Sequence, residues 1–268
     1  MIQGPMSLEE MGLRGQAIVV KGGAQGVGLA IARGAARAGA KSVLIVGRDA
    51  DKGASATKAI EQEGATGVFL AADLGDPATP SRVFDRALER FGHVDALVNA
   101  AGLTDRGSIV DSDLALWERL YAVNARAPFF LMQRLVNHLR ARRAPGAIVN
   151  ILSMHAHGGA PSMAVYASIK AALAALTKNA AHAHRFDRIR VNAISVGWVD
   201  TPAEREMQAV KLSKGPQWLA EAAASQPFGR LMTPEDVARL ALFLLSQESG
   251  VMTGSVIDQE QFVVGAWD

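Results

Sequence analysis

The chain has 268 residues, 49% hydrophobic and 20% charged, the balance of a water-soluble globular protein large enough to close its own core. It has no cysteine, which removes disulfides, thiol nucleophiles and Cys-ligated zinc together and suits a reducing compartment. Its 28 basic and 26 acidic residues leave a net charge of +2 with no basic run interleaved with aromatics, so nucleic acid is not the expected partner.

No apolar run approaches the roughly 18 residues needed to span a bilayer. Met1–Met11 carries Glu9 and Glu10 and lacks the charged-then-apolar pattern of a secretory signal. A cytoplasmic protein without a membrane partner is expected.

Short apolar runs alternate with helix-period segments from end to end. Strands are predicted over Gln16–Val20, Ser42–Val46, Val68–Ala71, Ala96–Asn99, Ala147–Ile151, Arg190–Ile194 and Ser255–Asp258. Helices are predicted over Val27–Ala38, Asp51–Gln62, Ser81–Phe91, Asp113–Arg142, Tyr166–His184 and Glu235–Ser246. Such alternation reads as right-handed βαβ units: a doubly wound parallel sheet of seven strands with helices on both faces, three layers α/β/α. No Pro/Ser-rich linker divides it, so one domain is expected over 1–268. The long interruption at about 201–228 holds Pro202, Gly215 and Pro216 and has the length of a substrate lid.

The first strand runs into Gly22-Gly23-Ala24-Gln25-Gly26-Val27-Gly28, which opens the first helix. Glycines there allow a tight turn and close backbone approach, and the helix N-terminus offers N–H donors to a pyrophosphate. The second strand ends in Val46-Gly47-Arg48-Asp49. Gly47 stands where an acid would grip the adenosine ribose, and Arg48 suits a 2′-phosphate, which favours NADP(H). NAD(H) stays open, because a one-residue slip would bring Asp49 to the ribose. Asp73, in Ala71-Ala72-Asp73-Leu74, is placed to accept from the adenine amino group. Asn99-Ala100-Ala101-Gly102 ends the fourth strand with side chains small enough for a cofactor to lie against backbone.

Tyr166 and Lys170 stand four residues apart, with Ser153 thirteen positions before Tyr166. On a helix that spacing puts the Lys170 ammonium beneath the Tyr166 ring, where it should lower the phenol from its usual pKa near ~10. A phenol so tuned exchanges a proton with an alcohol or carbonyl. His155 and His157 lack an evident third ligand, so no metal is expected. Trp117, Phe129 and Phe130 are expected in the core or at an interface.

In this order and spacing the chain resembles the short-chain dehydrogenase/reductase family over roughly residues 13–258, with a Rossmann-like fold. The resemblance rests on Gly22, Gly26 and Gly28, Asp73, Asn99 to Gly102, Asn124, Ser153, Tyr166, Lys170 and Val196-Gly197 to Thr201. It implies Tyr166 as general acid/base, Ser153 as hydrogen-bond partner of the reacting oxygen, and Lys170 on the nicotinamide ribose. Asn124 would anchor a proton-relay water. Gly22, Gln25, Gly26, Val27, Gly28, Arg48, Asp73, Leu74, Asn99, Ala100, Gly102, Gly197, Val199 and Thr201 would bind cofactor. Three departures stand out: Lys21 where the family has Thr, so that an ammonium needs an exit or an anion; Val196 for Pro, which should loosen the turn; and Ile257-Asp258-Gln259-Glu260-Gln261 for Asp-Gly-Gly.

Substrate contacts are expected from Met154, His155, His157, Thr104, Arg106, Trp198, Glu204, Arg205 and Trp218, with His155, Trp198 and Arg106 foremost. Hydroxyls need hydrogen bonds and sugar C–H faces pack on indoles, so a small sugar or polyol is expected. The alternatives are a 3-oxoacyl-type carbonyl reductase or a catalytically idle nucleotide-binding regulatory protein. The small-sided helix after Tyr166, rich in alanine, leaves room for a close subunit contact, and a homo-oligomer (tetramer or dimer) is expected.

Overall fold

The computed structural model describes residues 12–266. Strands β1 (Ala17–Lys21), β2 (Ser42–Gly47), β3 (Thr66–Ala71), β4 (Ala96–Asn99), β5 (Gly146–Ile151), β6 (Ile189–Val196) and β7 (Val256–Gln259) form one parallel sheet in the order β3-β2-β1-β4-β5-β6-β7. Its order reverses between β1 and β4, and the crevice beyond their carboxyl ends is where such sheets bind ligands.

The helices are α1 (Gly26–Arg37), α2 (Ala50–Gln62), α3 (Thr79–Phe91), α4 (Leu114–Tyr121), α5 (Ala127–Arg142), α6 (Ala164–His184), α7 (Pro202–Glu206), α8 (Trp218–Ala224) and α9 (Pro234–Leu245). Alternation along β1 sorts them. Ile18 and Val20 face the core shared with α1, α2 and α9, while Val19 faces the one shared with α3, α5 and α6. With both faces covered, β1 is buried at every position, which is why it reads as an unbroken apolar run. Each such side chain contributes about 1.5–3 kcal/mol by leaving water. Thr233 starts α9 with a capping box, exchanging hydrogen bonds with Asp236.

The helix predicted over Asp113–Arg142 is instead α4 and α5 joined by a π-helical turn, Ala122–Arg126, which carries Asn124. Pro128 supplies the reason. It has no N–H for the carbonyl four residues back, which belongs to Asn124, and its ring crowds that carbonyl. Trp117, Phe129 and Phe130 remain 42%, 40% and 39% exposed, so this chain's own core does not take them in. Among the described residues no helix is long and apolar enough to cross a membrane.

Candidate active site

The carboxyl ends of the strands open into a cleft of about 1140 Å³, lined from Gly22 and Arg48 at one end to Tyr166 and Glu204 at the other. That exceeds the roughly 300–1,000 Å³ of ordinary small-ligand pockets and leaves room for a dinucleotide and a substrate together.

At the phosphate end Gly22, Gln25, Val27 and Gly28 form the wall. A Cβ on Gly22 (φ +83°) would lie 2.5 Å from Ala101, and one on Gly28 would lie 2.1 Å from the Gly22 carbonyl oxygen. The loop is thus closed as tightly as backbone allows. Gly26 sits behind it, where a Cβ would touch Thr201 at 3.4 Å. No side chain caps α1 at Gln25, so its first amides are left for a ligand. These features fit a pyrophosphate.

At the ribose end Gly47 closes β2 and Arg48 follows in the cleft wall. The Asp49 carboxylate caps α2, accepting from Lys52 N at 3.0 Å. Lys52 Nζ reaches back to Gln25 Oε1 at 2.9 Å and joins the same wall, a residue the sequence did not single out. Asp73, Leu74, Ala100 and Gly102 line the cleft, with one Asp73 oxygen accepting from Gly75 N at 2.8 Å. Asn99 does not line it. Its amide is buried beneath the sheet end and donates to Asn150 Oδ1 at 2.8 Å, and Asn150 donates to Thr177 Oγ1 at 2.9 Å.

The chemistry end gathers residues from four elements. Ser153, just past β5, accepts from His155 N at 3.2 Å. Lys170 Nζ donates to the Ile151 carbonyl at 2.7 Å and sits 5.6 Å from the Tyr166 ring centre. Asn124 is held by two 3.0 Å bonds to the Leu103 backbone, one donated and one accepted. Gly102 passes between these groups: a Cβ there would lie 3.2 Å from Asn124 Oδ1 and 3.8 Å from Lys170 Nζ.

The phenol is not lowered as expected. Burial pushes Tyr166 up to about 12; Ser153 draws it down, Glu204 pushes it up and Arg106 draws it down. Burial also brings Lys170 down to about 8. Desolvation is the leading cause at both groups, disfavouring the phenolate in one and the ammonium in the other.

Lys21 finds neither exit nor anion. It has no exposed surface, and its Nζ donates to the Ala101 carbonyl at 2.8 Å. Burial, then the Lys170 charge, holds its pKa well below the usual lysine range. Ala100 N and Ala101 N donate in return to the Lys21 carbonyl, at 3.0 and 2.8 Å. Nor does Val196 loosen its turn. It ends β6 in register with Gln259, and Gly197 N donates to the Gln259 carbonyl at 2.9 Å.

At the substrate end Glu204 Oε1 accepts from Trp198 Nε1 at 2.8 Å and from Gln208 Nε2 at 2.6 Å. Thr201 caps α7 by accepting from Glu204 N at 3.1 Å, and Val199 bridges to Met232. Thr104, Arg106, Met154, His155, Gly197, Trp198 and Val199 line the cleft; His157, Arg205 and Trp218 do not. His157 pairs with Asp258 at 2.9 Å, Arg205 pairs with Asp200 at 2.7 Å, and Trp218 is buried 6.3 Å behind Trp198.

Sequence reading missed Met163, Gln208, Glu260 and Phe262 in the wall. Glu260 packs on Gly197, where a Cβ would lie 2.4 Å from its carboxylate. Gln261 Oε1 accepts from Phe228 N at 3.0 Å and its Nε2 donates to the Arg230 carbonyl at 2.8 Å.

A family model described as enoyl-(acyl carrier protein) reductase matches residues 22–260. The 2-(S)-hydroxypropyl-CoM dehydrogenase 3 of Xanthobacter autotrophicus is 35% identical over 245 residues, covering 91% of this chain and 94% of that one. The NADP-dependent (R)-specific alcohol dehydrogenase of Lentilactobacillus kefiri is 32% identical over 91% of this chain and 94% of its own. The crystal structure of L-sorbose reductase from Gluconobacter frateurii, complexed with NADPH and L-sorbose, superposes with a TM-score of 0.89 at 30% identity, covering 96% of this chain and 99% of that one. The chain belongs to the short-chain dehydrogenase/reductase family, oxidoreductases that act on CH–OH and carbonyl groups with a nicotinamide cofactor.

Proposed function

We propose that the protein interconverts an alcohol and a carbonyl on a small hydroxylated substrate, a sugar or polyol, with NADP(H) as cofactor. The reaction rests on one observation: the buried Tyr166 phenol stands at the sheet's carboxyl edge with Ser153 and Lys170 beside it in the cleft.

Arg48 and Lys52 favour the 2′-phosphate, because the adjoining Asp49 carboxylate is spent on capping α2. The uncapped start of α1 would hold the pyrophosphate, and Lys170 the nicotinamide ribose. The bound cofactor supplies or accepts the hydride. Ser153 Oγ orients the reacting oxygen, and Tyr166 Oη gives it a proton in reduction and takes one in oxidation. Pushed up to about 12 by burial, the phenol holds its proton, the form reduction needs. Lys170 and Asn124, close together around Gly102, pass the replacement proton toward solvent.

Glu204, fixed by Trp198 and Gln208, supports the hydroxylated substrate: a carboxylate takes hydroxyl donors and the indole takes a C–H face. The segment 201–228 acts as the lid. A homo-oligomer belongs with this function, built on the part-exposed aromatics of α4 and α5, and mass in solution tests it.

The test is a panel of sugars, polyols and 3-oxoacyl esters assayed with both cofactors. Tyr166→Phe should lower turnover by about 10²–10⁴-fold while cofactor affinity holds. Turnover of acyl ketones alone would replace the sugar reading with an acyl reductase. No turnover at all would leave an idle nucleotide-binding protein.

A further inference from the structure

Among the described residues arginines on this surface commonly meet carboxylates. Arg119 and Lys211 both face Asp105, at 3.9 and 3.8 Å. Arg106, next in the chain, does not. It is half-buried in the cleft wall, no carboxylate among the described residues lies within ion-pair distance, and its Nη1 is set against the Met163 thioether, a weak acceptor.

Glu204 has the opposite deficit. It accepts only from the neutral donors Trp198 and Gln208, with no cation within ion-pair distance among the described residues. Gln208 is 3% exposed, and its Oε1 has no hydrogen-bond partner although the residue lines the cleft. Buried acceptors of this kind are left unmade only at a cost, so a donor belongs there. Glu260 is otherwise engaged, accepting from Gln261 N at 2.5 Å. Arg106 and Glu204 also shift the Tyr166 phenol in opposite senses, so both charges are felt at the reacting group.

We propose that the substrate is a polyhydroxylated carboxylic acid, with its carboxylate on Arg106 and its hydroxyls on Glu204 and Gln208. This rests on the alcohol–carbonyl function given above and narrows its substrate. A neutral sugar would leave the guanidinium on a thioether. An acid without hydroxyls would leave Gln208 Oε1 without a donor and Glu204 with only its neutral protein donors, and a diacid would bring a second negative charge to Glu204.

The experiment is steady-state oxidation with NADP⁺ of a hexitol, the aldonate of the same configuration, and a short hydroxy acid lacking further hydroxyls. Wild type should prefer the aldonate to the hexitol in kcat/KM by about 10- to 100-fold, the worth of a charge-assisted contact. Arg106→Gln should bring that ratio to about one, and Arg106→Lys should keep part of it. Glu204→Gln should narrow the margin of the aldonate over the short hydroxy acid. Cofactor dissociation constants report whether each variant is folded. Should Arg106→Gln not fold, the wild-type aldonate/hexitol ratio is followed against ionic strength, and it should fall as salt rises. An unchanged ratio in Arg106→Gln, a salt-independent ratio, or a wild type that prefers the hexitol would overturn the acid while leaving the polyol function standing. Turnover of neither, with apolar ketones accepted, would overturn both.

Discussion

Lys21 and Ala101 hold each other across the ends of β1 and β4: the Lys21 ammonium nitrogen donates to the Ala101 carbonyl at 2.8 Å, and Ala101 N donates to the Lys21 carbonyl at the same distance. Burial and then the neighbouring Lys170 charge push this fully buried lysine toward its neutral form. Between its lowered folded pKa and the unfolded value near ~10.4, the unfolded chain binds more protons, so stability rises with pH across that window. Lys21→Met removes the linkage and leaves the Ala101 carbonyl without its donor, a pH-independent loss of about 1–3 kcal/mol. The Tm of wild type should therefore gain on that of Lys21→Met as pH rises toward the unfolded lysine value near ~10.4. Parallel Tm curves would show that Lys21 keeps its proton when folded.

Arg48 should discriminate between cofactors. Its guanidinium stands in the wall beside Lys52 while Asp49 is occupied as a helix cap. Arg48→Ala should weaken NADPH by about 10- to 100-fold and NADH by far less, read as dissociation constants at fixed ionic strength. Equal weakening of the two would remove the 2′-phosphate from this end of the cleft.

The protonation of Tyr166 is set first by burial, next by its hydrogen bond with Ser153, and then, in opposite directions, by Glu204 and Arg106. Glu204→Gln keeps an acceptor for Trp198 but removes the negative charge, so the Tyr166 pKa should fall. The pH midpoint of kcat/KM for oxidation should move to lower pH. Arg106→Gln should move it to higher pH. Shifts of the same sign would mean that these charges reach Tyr166 only through altered packing.

Gly28 has no room for a methyl group, since its Cβ would meet the Gly22 carbonyl at 2.1 Å. Gly28→Ala should lower stability by on the order of 1–3 kcal/mol, as overpacking does, and weaken both cofactors alike. Thermal melts with and without NADPH check this. An unaltered ligand-induced rise in Tm would show that the phosphate loop tolerates the displacement.

Local signals made much of this molecule legible. β4 could be bounded at Ala96 and Asn99 because parallel strands buried on both faces are short apolar runs. The Tyr166–Lys170 spacing placed both groups on one helix face because helical geometry alone decides it. What spacing cannot carry is desolvation, which pushes Tyr166 up where the neighbouring lysine alone would lower it. The π-helical turn at Asn124 had a signal in Pro128, four residues on, but only for a reader asking where that carbonyl bonds. Lys52, Gln208 and Glu260 lie in or next to stretches the sequence marks, but which side chain of each stretch turns into the cleft is decided by tertiary folding and not by spacing.

The chain's tail is stitched to both ends of the region that frames the substrate. Gln259 anchors to the Asp236 carbonyl at 2.9 Å, Glu260 fills the space over Gly197, and Gln261 ties the Phe228–Arg230 exit of the 201–228 segment. On the function proposed above, substrate choice could then be altered from these residues without touching the catalytic trio. Exchanging residues 259–262 would amount to changing the lock's wards while its bolt, Ser153, Tyr166 and Lys170, stays where the sheet put it.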